Sequence, residues 1–362
     1  MRVLVCGGGV VGAAIAYFLS LRQVEAVVIE RTGVACAASG KSGGFLALDW
    51  CDGSPLAALA RRSFALHGEL AAALDGGWGY RRLEALSIAA GAGRRPAGSA
   101  GSALPDWVAR EARLQQRLGT ARTTAQVDPG AFTRGLMDAA LARGARLQIG
   151  RVSDLERSSD DSRVLGVVVD GRTIGGDAVV IAMGPWSVLA ARWLPLPAIY
   201  GLKGHSLIFR SRVPVSPHAL FVEYEGEDGA TDSPEVFPRA DGTTYVCGLS
   251  SAAPLPEDPA EVAPDPGACE RLRTMTASFA PTLAGAEVVA AQACYRPVAR
   301  DGLPLIGRVR GPEAAYVATG HSVWGMLNAL ATGEAIAELI VDGTARTVDL
   351  AAFDPARLSP MT

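Results

Sequence analysis

The sequence is poor in lysine, poor in histidine and free of clustered cysteine. Among its 34 basic residues only Lys41 and Lys203 are lysines, and the net charge is −3. That balance excludes the strongly basic footprint of a nucleic-acid binder. Four histidines are present (His67, His205, His218, His321), and none joins a His/Cys/Asp grouping at metal-ligand spacing, so no metal is expected. The six cysteines stand apart, with no C-x-x-C, which excludes zinc-ribbon and thioredoxin-type chemistry. The chain opens directly into "RVLVC", without a basic leader and cleavage site. Scattered thiols and that opening point to a reducing, cytoplasmic compartment. No run of about 20 apolar residues appears, so no membrane-spanning helix is expected. Internal repeats and a nucleophile elbow are also missing. A chain of 362 residues exceeds the size at which one core usually keeps growing, so two packed domains are expected.

What is present is glycine, and its placement is informative. "RVLVCGGGVVGAAIAYFLSLRQVEAVVIER" begins with a short β-branched run at 2–6, as in a buried parallel strand. Gly7, Gly9 and Gly12 then form G-x-G-x-x-G, and 10–21 carries apolar residues at helical spacing. A second strand at 25–29 ends at Glu30, 23 residues after Gly7. Such a triad can be an ordinary turn. Here Gly7 allows the tight strand-to-helix turn, Gly9 lets a pyrophosphate reach the backbone, and Gly12 lets the helix lie close on the sheet. The helix, opened by Val10 and Val11, turns free N–H groups and a positive dipole end to phosphate. An acid at the position of Glu30 accepts hydrogen bonds from ribose hydroxyls.

The continuation G-x-x-x-A-x-x-L (Gly12, Ala16, Leu19) resembles the fingerprint of FAD-binding flavoproteins. There is no second G-x-G-x-x-G, which an NADPH-linked flavin reductase would usually carry, and Cys36 lacks the nearby partner of a disulfide reductase. The pattern describes a flavoprotein that binds one dinucleotide.

Further along, Ser39, Gly40, Lys41, Ser42, Gly43 and Gly44 form a small polar run, suited to bringing backbone N–H groups against phosphate or a flavin edge. The spacing predicts helices over 57–74 and from Pro129 to near Gly144, then a strand at 146–149. A Gly-, Ser- and Pro-rich stretch at 91–106 reads as an exposed loop. A hairpin turning at Asp170-Gly171 leads to a strand at 177–182, closed by "MGPWS". From 202 to 293 the texture becomes alternating strands broken by acidic, Pro-rich loops at 227–235 and 253–267. This describes an inserted, mostly antiparallel domain. The first of these loops could act as a lid or as plain surface. A strand at 315–319, the segment "GHSVWG" and an amphipathic helix at 325–341 restore α/β texture. A positive helix end at Gly325 and Met326 would stabilise negative charge on a reduced flavin.

Four segments together resemble the D-amino-acid oxidase family, which includes glycine oxidase and sarcosine oxidase. They are Gly7–Gly12 with Glu30, the 39–44 loop, 182–187, and "YRPVARDGLPLIG" with "ATGHSVWGMLNALATGEAIAELI". The resemblance implies an α/β fold: a Rossmann-like FAD domain from discontinuous segments (1–75, 125–200, 295–362) and a β-sheet substrate domain (76–124, 201–294). It implies FAD contacts at Gly9, Glu30, Arg31, Ser39 and the loop to Gly44, at Val152, and near Gly184, Trp186 and Gly320. It implies dehydrogenation of a small amine or amino acid. Arg296, in an R-P motif, would pair with the substrate carboxylate through its guanidinium fork; Arg300 would lie on the surface.

The resemblance leaves two readings of Cys294: a thioether to the flavin, as in sarcosine oxidase-like proteins, or a packed thiol beside it. FAD is expected to be non-covalent. The lysine that assists oxygen in sarcosine oxidases has no counterpart in the 243–248 strand, and Lys203 is out of register. Tyr224 and Tyr245 are candidates for a second carboxylate ligand. His205 and His321 are candidate polar groups facing substrate or flavin, whereas His67 and His218 lack such context. A second class of function is a flavin-bearing assembly or trafficking factor with the same fold and no turnover, using the acidic loops as partner surfaces. No partner protein is otherwise indicated.

Overall fold

The computed structural model describes residues 1–74, 76–91 and 104–361. Most of the stretch read as a loop at 91–106 lies outside the described residues. A six-stranded sheet runs in the order Leu305–Arg308, Ala315–Thr319, Ala178–Ile181, Arg2–Cys6, Glu25–Glu30, Arg146–Ile149. All neighbours are parallel except Leu305–Arg308, which is antiparallel to Ala315–Thr319. The near-continuous apolar strands follow from burial on both faces. Val3, Val5, Val28 and Val180 pack on one side with the helices Val10–Leu21, Pro129–Leu141 and Gly325–Val341. Leu4, Cys6, Val27, Ile29 and Ile181 face the other way, toward Leu155, Val164 and Val167 of a three-stranded antiparallel sheet.

The opening turn is sterically determined. Gly7 has φ +115°, and a Cβ on Gly12 would lie 1.9 Å from the Gly7 carbonyl oxygen. Only glycine lets this helix start that close to the strand it leaves. The helix at 129 is equally local in origin. Asp128 caps it by accepting from the Ala131 N–H at 2.6 Å, and Pro129 occupies the first turn.

The second large sheet has eight strands. Its path is Glu287–Ala299, Ile199–Arg210, Thr243–Ser251, Glu235–Pro238, His218–Glu225, Glu84–Gly91, Arg113–Gly119, with Thr231–Asp232 beside His218–Glu225. It is antiparallel apart from the pairing of His218–Glu225 with Glu84–Gly91. The strand Glu287–Ala299 runs through 294/295 without a break.

Strand alternation divides this sheet into two faces. Val236 and Val246 pack beneath the helix Ala268–Phe279, while Phe237 and Tyr245 point the opposite way. That helix lies in a region expected to be strands and loops. Leu272, Met275, Thr276 and Phe279 form its buried stripe at i, i+3, i+4 and i+7. Among the described residues no helix is long and apolar enough to cross a membrane.

Candidate active site

A cavity of about 510 Å³ lies where the two large sheets meet, and both Glu30 and Arg296 line it. At one end, Gly7, Gly9, Val10 and Val11 present the start of the first helix. Ser39 Oγ accepts from the Val10 N–H at 2.9 Å. Glu30 is oriented by backbone amides: Oε2 accepts from Gly8 N–H at 2.6 Å and Oε1 from Thr32 N–H at 2.9 Å. Ser42, Gly43, Gly44, Val152, Gly184 and Trp186 also line the cavity.

Four residues singled out in the sequence act from behind this wall. Gly12 makes the close helix–strand approach. A Cβ on Gly40 would lie 2.0 Å from the Ala35 carbonyl oxygen. The Lys41 carbonyl accepts from Tyr245 Oη at 2.8 Å. Gly320, with φ +81°, turns the chain between its strand and the last helix.

The loop at 253–267 straps the two sheets together over this cavity. Arg31 donates to the Glu257 carbonyl and to Asp258 Oδ2, both at 2.9 Å. Arg151 pairs with Glu257, and Trp186 Nε1 donates to the Pro256 carbonyl at 2.8 Å. From the other sheet, Tyr295 Oη donates to the Pro254 carbonyl at 2.6 Å, and Lys203 Nζ binds Asp265 Oδ1 at 2.5 Å. Arg31 therefore borders the cavity with its guanidinium engaged by the strap. Lys203, buried, serves the same loop.

At the other end the sheet contributes Phe237, Tyr245, Cys247, Cys294, Arg296 and Glu235. Cys294 and Arg296 share a face because they are two apart on one strand. Arg296 lies across Gly204, whose hypothetical Cβ would be 3.4 Å from a guanidinium nitrogen. Among the described residues its hydrogen bond is to Ser250 Oγ at 3.0 Å. Burial pushes the Glu235 carboxyl above its ordinary range, while the nearby Arg296 charge pulls it down. Cys247 Sγ lies 3.5 Å from Glu235 Oε2. Burial also raises the Cys294 thiol, against the pull of Arg296 and Lys41. Phe45, Trp50, Phe221 and Phe237 form an aromatic cluster at this end, with centroid separations of 4.9–5.5 Å for Trp50–Phe221 and Phe45–Phe237.

The four remaining candidates separate clearly. Tyr224 lies on the opposite face of the sheet, packed near Phe279, so it does not reach the cavity. Tyr245 does, but its hydroxyl donates to Lys41. His205 borders the cavity with both ring nitrogens engaged. Nε2 accepts from the Asp265 N–H at 3.1 Å, which leaves Nδ1 as the donor to the Leu249 carbonyl at 2.5 Å. It anchors the strap through both nitrogens, with Asp265 Oδ2 a further 3.3 Å from Nε2. His321 also lines the cavity, with Nε2 3.0 Å from Thr332 Oγ1.

Burial lowers His321 and the fully buried His67 to about 4. Both are neutral in the folded protein at pH 7, and unfolding lets them take protons below about pH 6.5. Stability present above that pH is therefore lost between about 6.5 and 4. At pH 5 the loss is up to about 2 kcal/mol for each. Thermal melts at pH 7.5 and pH 5 should show this drop, and His67→Gln should make it smaller. An unchanged pH dependence in the variant would remove His67 from this account.

Glu235, Cys247, Phe221 and Phe237 line the cavity without having been singled out in the sequence. The signal available was alternation in "EVFP" and "TYVCG", where every second residue faces the cavity. Which face that is depends on the sheet's neighbours. A second, polar cavity of about 600 Å³ adjoins the first and shares Glu235, Cys247, Arg296, His205 and Val323 with it.

The FAD dependent oxidoreductase family model matches residues 2–339. A protein of Schizosaccharomyces pombe, named only as an oxidoreductase, is 28% identical over 98% of this chain and 97% of its own length. Glycine oxidase of Geobacillus kaustophilus is 29% identical over 98% of this chain and 96% of its own. The crystal structure of that organism's glycine oxidase superposes with a TM-score of 0.83 at 24% identity, covering 99% of both chains. The chain belongs to the FAD-dependent oxidoreductase family. It is an FAD-dependent enzyme, and glycine oxidase is among its relatives.

The cavity fits the cofactor. Among the described residues Ser42 Oγ is buried on its wall without a hydrogen-bond partner, as expected of a hydroxyl that a ligand satisfies. The first-helix N-terminus meets it at one end, and Gly325 and Met326 of the last helix meet it at another. Gly9 and Val10 with Ser39 would hold the pyrophosphate, and Glu30 the ribose.

Proposed function

We propose that this flavoenzyme dehydrogenates a small amine or amino acid, with Arg296 holding the substrate carboxylate. The observation that carries this reading is a half-buried guanidinium on the cavity wall that, among the described residues, makes one hydrogen bond, to Ser250. Its remaining donors suit two carboxylate oxygens. Bound FAD supplies the acceptor for the hydride that leaves the nitrogen-bearing carbon. Arg296 fixes where that carbon lies. The aromatic cluster of Phe45, Trp50, Phe221 and Phe237 keeps water from the reacting end. The last helix directs its positive end toward the cavity. The segments 1–75, 125–200 and 295–362 form the FAD domain in this reading, and the strand Glu287–Ala299 crosses that division, so that Arg296 lies just beyond it.

Anaerobic mixing of the yellow protein with small amines, D- and L-amino acids and N-methyl amino acids tests the reading. Bleaching of the flavin band identifies the substrate. Absence of bleaching across the panel would favour a flavin-bearing factor without turnover.

Cys294 is a packed thiol in this reading, since a thiol raised by burial holds little of the reactive thiolate. Acid precipitation should release the yellow colour into the supernatant. Colour retained in the pellet of the wild type and released from Cys294→Ala would establish a thioether instead.

A further inference from the structure

Arg296 and Glu235 line the same cavity, and both also line the adjoining polar one. The Arg296 charge reaches the Glu235 carboxyl, yet among the described residues the two form no ion pair within 4.0 Å. An acid and a base that sense each other across a gap leave room for a ligand carrying both charges. The acid's position is structurally demanding. Glu235 opens a strand whose register sets it opposite Cys247. Among the described residues its side-chain hydrogen bond is the weak one from that thiol. A carboxyl sunk in a wall of aromatic and thiol groups is costly unless something pairs with it, and perturbed acids of this kind concentrate at reactive centres.

We propose that Glu235 binds the substrate nitrogen, so that the site selects an amine-bearing carboxylate rather than a simple carboxylate. This rests on the reading of Arg296 as the carboxylate ligand. The substrate arrives as an ammonium zwitterion. Its carboxylate pairs with Arg296 and its N–H donates to Glu235. One N–H bond breaks as an O–H bond forms on Glu235, leaving a neutral amine and a neutral carboxylic acid. The nitrogen lone pair is then free to assist hydride departure from the adjacent carbon. The proton leaves Glu235 through the adjoining polar cavity, which Ser250, Ser251 and Asp265 also line.

The test titrates the FAD-loaded protein anaerobically at pH 8 and follows the flavin band, with acetate, glycine and sarcosine as probes. Wild type should bind glycine or sarcosine more tightly than acetate. Glu235→Gln should weaken the amine-bearing probes by about tenfold or more and leave acetate within about twofold. Glu235→Asp should restore part of the preference. Arg296→Met should weaken all three. Equal changes for all probes in Glu235→Gln, with Arg296→Met still losing all, would overturn the role of Glu235 alone. Retention of every probe by Arg296→Met, or no response of wild type to any of them, would overturn the carboxylate reading and this inference with it.

Discussion

Arg296→Met is expected to lower kcat/KM for a carboxylate-bearing substrate by about 10²- to 10³-fold while the protein stays folded and yellow. A bidentate charge-assisted pair is worth roughly 3–4 kcal/mol when one partner is removed in a shielded site, which corresponds to that range. Methionine keeps much of the side chain's length and lies on the same strand without a buried charge. The hydrogen bond lost within the protein is the one to Ser250, so stability should change little. Arg296→Lys keeps the charge but not the fork, and should fall between the two. Stopped-flow reduction under anaerobic conditions separates binding from the reductive step. A fall confined to substrate affinity would mean that Arg296 anchors substrate without setting the position of the reacting carbon. Unchanged values of both would remove it from the site.

Gly12→Ala should yield protein without bound FAD, and much of it should be unstable. The added Cβ would sit 1.9 Å from the Gly7 carbonyl oxygen, and a backbone atom cannot rotate out of the way. The helix must move off the strand, which displaces the amides of Gly9 and Val10 and the Val10–Ser39 hydrogen bond. Overpacking of this kind costs roughly 1–3 kcal/mol or more before any cofactor binding is lost. Because FAD stabilises the folded state that binds it, the two losses compound. Gly285→Ala is the control, since nothing lies within 4 Å of its hypothetical Cβ. Flavin absorbance per mole of protein and the melting temperature report the outcome. A Gly12→Ala protein with full colour would show that the turn relaxes without harm.

The first thirty residues and the helices at 129 and 325 were legible because their constraints are local. Glycine at a forbidden turn, an Asp-Pro helix start and a 3.6-residue apolar period each act within a few residues. The family resemblance then made Arg296 readable as a carboxylate ligand through its R-P motif. The helix Ala268–Phe279 was missed although its stripe is regular, because the acidic loop before it dominated the reading of that region.

The rest depended on contacts between distant parts of the chain. Tyr224 and Tyr245 were equivalent as letters; the sheet's packing turned one toward Phe279 and the other into the cavity. His205 looked like a free polar group until Asp265 and Leu249 took both of its nitrogens. Glu235 looked like the end of an acidic loop until strand pairing set it opposite Cys247, on the wall that Arg296 also lines. The dinucleotide turn was readable from the letters alone, because steric exclusion at Gly7 and Gly12 operates between neighbours. Which acid shares a cavity wall with Arg296 was settled by packing at a distance, because the face a strand residue takes depends on what packs against its sheet.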